Sequence, residues 1–100
     1  MGKKPKVVSP LKETKALAAT TAVMKCEIDS GQPKATVTWY KDGSREIYQG
    51  KKYNMTYKDN VAQLEILQAD LSDSALYRVE ADNKVGRVES EAKLFVQGTC

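Results

Sequence analysis

Apolar residues recur at every second position along most of this chain. Ala22, Met24, Cys26 and Ile28 alternate with Val23, Lys25, Glu27 and Asp29, the period of a strand with one buried face. Ser30-Gly31-Gln32-Pro33 breaks that strand. The alternation resumes over Ala35 to Lys41, with Val37 and Trp39 on one face, and Asp42-Gly43 closes it with a hairpin signal. Arg45 to Tyr48 predicts a short strand, and Lys52 to Tyr57 another before the Asp59-Asn60 turn. Val61 to Leu67 places Ala62, Leu64 and Ile66 inward and Gln63 and Glu65 outward, and Leu71 is expected to plug the bottom of the core.

The stretch from Asp73 to Ala81 organises the rest. Ala75, Tyr77, Val79 and Ala81 fall on one strand face. A buried Tyr77 hydroxyl needs a partner, and the Asp73-Ser74 turn offers backbone groups within reach. Asp82 to Gly86 forms a hairpin turn, and Val88, Ser90, Ala92, Leu94 and Val96 face inward from a last strand. At the other end, Val7 and Val8 can pair at a sheet edge. Leu11 to Ala19 has fair helix propensity but no cap and only a short apolar stripe, so it reads as an edge strand plus a turn. With turn signals every ten residues or so and no helix between them, the pattern predicts an all-β, two-sheet antiparallel sandwich. Residues 1–4 read as a leader, 5–97 as the domain and 98–100 as a tail.

One hundred residues make one domain, and 41% apolar with 29% charged residues suits a globular fold. No apolar run approaches the ~20 residues that cross a bilayer, so no membrane partner is expected. The 16 basic and 13 acidic residues are interspersed, giving a net charge of only +3, which does not point to nucleic acid. Without histidine there is no usual catalytic triad, two distant cysteines make no structural zinc site, and no glycine-rich loop cradles phosphate. No cofactor, no metal and no enzymatic activity are expected.

Cys26 reads as a buried, inert thiol and Cys100 as an exposed one past the last strand. Lys51, Lys52 and Lys58 are either edge lysines that discourage aggregation or a basic face for filaments or acidic partners. Asn54-Met55-Thr56 fits the glycosylation pattern, which has meaning only on the secretory route. The first residues lack the apolar segment of a signal peptide, so a cytoplasmic location is expected.

Six landmarks in order then carry a resemblance: Met24-Lys-Cys26-Glu-Ile28, Trp39-Tyr-Lys-Asp-Gly43, Leu64-Glu-Ile66, Asp73-Ser-Ala75-Leu-Tyr77, Ala81-Asp-Asn83 and Gly86. Together they resemble the intermediate set (I-set) of the immunoglobulin superfamily, in particular the domains of giant intracellular muscle proteins such as titin, twitchin and obscurin. The resemblance implies strands A, B, E and D in one sheet and A′, G, F, C and C′ in the other. It also implies a structural core of Cys26, Trp39, Leu64, Tyr77 and Val79, with Tyr77 as the tyrosine corner. One departure stands out. The family's second cysteine belongs two residues after the corner tyrosine, where this chain has Val79. Cys26 therefore has no cross-sheet partner, as a reducing compartment tolerates.

The expected function is a non-catalytic spacer and docking module of a sarcomeric or cytoskeletal scaffold. Its partners would be tandem immunoglobulin or fibronectin type III neighbours and sarcomeric or cytoskeletal proteins, and the isolated domain would be a monomer. A partner would bind along the A/A′ and G edges, at Val7, Val8, Val88 and Ala92. An extracellular adhesion or receptor domain is the alternative, supported by Asn54 and opposed by Val79.

Overall fold

The computed structural model describes residues 2–98. Cys100 lies outside the described residues, and so does the expectation of its exposure. Nine strands form among the described residues: β1 (Lys6–Ser9), β2 (Thr14–Leu17), β3 (Ala22–Asp29), β4 (Thr36–Lys41), β5 (Arg45–Ile47), β6 (Tyr53–Lys58), β7 (Val61–Ile66), β8 (Ala75–Asp82) and β9 (Arg87–Gln97). They build one sheet in the order β1-β3-β7-β6 and a second in the order β2-β9-β8-β4-β5, as the resemblance implied. Leu11 to Ala19 is a short strand and a turn, not a helix.

The chain changes sheets between β1 and β2. The β1 register shifts between Val7 and Ser9, and β2 then lies parallel on β9 from Thr14↔Leu94 to Leu17↔Gln97. Pro10 cannot donate to a ladder, so it suits the crossing. Buried Leu11 pins the crossing by donating its backbone N–H to Ser90 Oγ at 2.9 Å.

The two-residue period becomes the core. Ala22, Met24, Cys26 and Ile28 are buried along β3, facing Ala62, Leu64 and Ile66 of β7, and Tyr77, Val79 and Ala81 are buried along β8. Trp39, 1% exposed, lies opposite Val79 across the β4–β8 ladder.

The expectation for Leu71 is corrected: it is 61% exposed. Leu71–Asp73 is a turn of 3-10 helix with Asp70 as N-cap, and Asp73 returns a bond to the Asp70 backbone. This reciprocal cap buries Asp73 and turns Leu71 outward, while Ala69, 1% exposed, packs in the core. A three-residue 3-10 turn has no apolar period to read, and the i, i+3 spacing of Asp70 and Asp73 is its local sign in the sequence.

Because Trp39 is the largest fully buried side chain, Trp39→Ala is expected to cost roughly 3–5 kcal/mol and to prevent stable folding. A melting temperature that hardly moves would contradict this core.

Candidate protein-binding surfaces

The strand edges are unevenly covered. β2 pairs only with Leu94–Gln97 of β9, so Arg87–Lys93 has a ladder on its β8 side alone. β1 ends the other sheet. Of the residues expected to meet a partner there, Val7, Val88 and Ala92 turn toward the core, whereas Val8 is 53% exposed. Both edges thus offer backbone groups, with Val8 as the exposed apolar side chain among those four.

The two ends of the domain are built differently. Lys3 and Gln32 exchange backbone hydrogen bonds of 2.8 Å each. Asn83 Nδ2 donates to the carbonyls of Lys3 (2.7 Å) and Pro33 (3.0 Å), while its Oδ1 accepts from Val85 and Gly86 N–H. Lys3, read as part of a leader, is thereby bonded to the turn that precedes β9. The 11 residues of β9 then span about 33 Å to Gln97, whose carbonyl accepts from Ala18 N–H at 2.8 Å. The chain enters at one pole and leaves at the other.

The three lysines separate. Lys51 and Lys58 are exposed, but Lys52 points back to Asp73, with Nζ 2.7 Å from Oδ2 and 3.3 Å from the Gln68 carbonyl. Asp73 also accepts the Asp70 N–H at 2.9 Å, and its carbonyl accepts the Tyr77 hydroxyl at 2.7 Å. Lys52 therefore belongs to an internal polar node. The Asp73 carboxylate bonded to it holds the Lys52 amine above the usual lysine range. Burial pushes the Tyr77, Tyr53 and Tyr57 phenols above theirs.

Cys26 is a free, buried thiol, pushed up by burial; the Ser90 hydroxyl and Leu11 backbone partly offset that shift. Asn54 is half-buried, and its Nδ2 donates to Glu65 at 2.6 Å, a geometry that a glycan on that nitrogen would disturb. Sequence reasoning missed the outer face of the second sheet. There Arg78 stacks on Tyr40, 4.3 Å from the ring centre, and meets Glu80 (2.5 Å), Glu89 (3.0 Å) and the Gly43 carbonyl (2.5 Å). The β4–β8 register sets Arg78 opposite Tyr40, and no local pattern announces that pairing.

Residues 5–96 match the family model of the immunoglobulin I-set domain. The chain is 31% identical over 84 residues, 84% of its length, to the titin homolog of Caenorhabditis elegans. It is 33% identical over 96 residues, 96% of its length, to the muscle M-line assembly protein unc-89 of the same species. It spans 0% and 1% of those two relatives, to the nearest percent. Among solved structures, titin domain M7 superposes with a TM-score of 0.91 at 34% identity, covering 97% of each chain.

Two outcomes follow from these polar groups. The raised folded values of Lys52 and the tyrosines mean that the native state keeps protons the unfolded chain has lost. Their contribution is complete below about pH 10, the ordinary onset for both groups, and is lost as pH rises through the folded values. Denaturant midpoints should therefore fall above about pH 10. Lys52→Met should lower stability at neutral pH by about 1–2 kcal/mol, allowing for solvent at the partly exposed amine. A midpoint unchanged at both pH values would exclude the node. Adding a reductant, by contrast, should leave monomer stability unchanged; a loss would reveal a bridge to Cys26.

Proposed function

The chain belongs to the immunoglobulin I-set family, and on that premise we propose that it is a non-catalytic spacer and docking module of a muscle scaffold protein. It works in the cytoplasm, at the sarcomere or cytoskeleton. Residues 5–97 form the module, with 1–4 as a leader and 98–100 as a tail, and its neighbours are immunoglobulin or fibronectin type III domains. As an isolated domain it is a monomer.

The observation that carries this reading is the placement of the two chain ends at opposite poles, with Lys3 bonded to one and Gln97 to the other. A module so built passes the chain straight through and leaves its flanks free. Kinship with a titin homolog and a muscle M-line assembly protein supports the muscle setting. The β1 edge, with Val8, and the unpaired side of Arg87–Lys93 provide docking edges for an added strand. Val79 in place of a second cysteine, beside free buried Cys26, favours this reading over an extracellular receptor domain.

Skinned striated-muscle fibres incubated with the fluorescently tagged domain should take up label in register with the sarcomere. Val8→Asp should weaken those stripes without moving the melting temperature. Diffuse label from both proteins would remove the docking reading.

A further inference from the structure

On the flank where β4 faces β6, neither sheet is closed. β5 pairs only with Trp39–Lys41 of β4, leaving Thr36–Thr38 without a neighbour on that side, and β6 ends its sheet. Between them lies a recess of about 300 Å³ lined by Ala35, Val37, Trp39 and Met55, with Lys34 and Tyr57 at its border. Lys34 and Tyr57 also line an adjoining recess of about 450 Å³ that carries Ser30, Lys58, Asp59 and Asn60. The two share Lys34 and Tyr57 and form one groove, with the side chains of Val37 and Met55 at one end and those of Lys58 and Asp59 at the other.

Three features give this groove a direction. Backbone groups of β6 alternate between β7 and the open edge. Gln49 Oε1 accepts from Met55 N–H and Gly50 N–H donates to the Tyr53 carbonyl, so the odd-numbered residues face outward. The Met55 carbonyl and both backbone groups of Tyr57 therefore look onto the groove. Next, the indole N–H of buried Trp39 has no hydrogen-bond partner among the described residues, although a buried indole ordinarily has one. Finally, exposed Lys34 and Lys58 outnumber the one carboxylate of the lining, Asp59. Nearby Asp29 is turned to the Gly31 N–H at 3.0 Å.

We propose that this groove binds an extended acidic peptide segment of a partner protein. Its main chain adds to β6 at Met55–Tyr57, one apolar side chain enters the recess between Val37 and Met55, and a carboxylate lies between Lys34 and Lys58. Alternate side chains of a strand point the same way, about 7 Å apart, so the apolar residue and the carboxylate are two positions apart. The Trp39 ring lies beneath the recess, so its indole senses what enters there. This surface is separate from the β1 and β9 edges, and it rests on the docking reading only in taking a protein segment as its ligand.

Trp39 is the only tryptophan of the chain, so its indole N–H gives a single resonance. The isotope-labelled domain is titrated with an end-blocked peptide, Thr-Glu-Thr-Leu-Thr-Glu-Thr, and with versions that replace Leu by Ser or both Glu by Lys. The first should shift the Trp39 indole and Tyr57 amide resonances saturably, and the other two should bind at least ~10-fold more weakly. Lys34→Glu with Lys58→Glu, both exposed and so neutral for folding, should weaken the acidic peptide ~10-fold and favour the lysine version. No saturable shift at millimolar peptide, or affinity unchanged by charge reversal, would overturn the groove. Shifts confined to Arg87–Lys93 would overturn it too, while leaving the β9 docking edge standing.

Discussion

Trp39 and Val79 lie opposite each other on adjacent strands in the middle of the sandwich, and the packing they anchor has to hold the two sheets together. A bridge from Cys26 to position 79 would contribute roughly 4 kcal/mol by the loop-entropy estimate. Burial of one large side chain contributes about 1.5–3 kcal/mol, so two or three well-packed residues offset its absence. Met24, Ile28, Leu64, Ile66 and Leu94 are all fully buried around this centre. With so little redundancy, a cavity at Trp39 would touch every layer.

A second constraint fixes the ends of the strands. Asp73 is a buried carboxylate in a small β protein, tolerable only because its bonds are filled by Lys52 and the Asp70 backbone. Its carbonyl holds the Tyr77 hydroxyl, tying the start of β8 to the 3-10 turn. The node also ties in the residue before β6, across the molecule. A lysine that looks like part of a basic face is thus consumed by the fold, and Lys51 and Lys58 are left to meet solvent or a partner.

With the core and this node rigid, the surfaces left for binding are those the ladders do not cover. The β1 edge, half of β9 and the β4–β6 flank differ in what they present. The first two offer backbone with few apolar side chains, whereas the flank adds a recess, an unsatisfied indole and two lysines. With the ends at opposite poles, all three stay accessible at once, as the proposed spacer and docking role requires.

The period-two runs in β3, β7, β8 and β9 determined by themselves which residues are buried, because strand side chains alternate whatever the neighbouring strand is. The sheet order came from the resemblance that six landmarks carry, Cys26, Trp39 and Tyr77 among them, and within that resemblance Val79 marked the missing bridge. Tertiary structure alone decided the rest. Leu71 faces out because a reciprocal cap rotates its turn, Lys52 meets Asp73 because the Leu67 N–H bond to the Lys52 carbonyl sets it beside that turn, and Arg78 meets Tyr40 through register. The β4–β6 groove exists because β5 is too short to cover β4. Each depends on residues far apart in the chain, whose meeting no local period encodes.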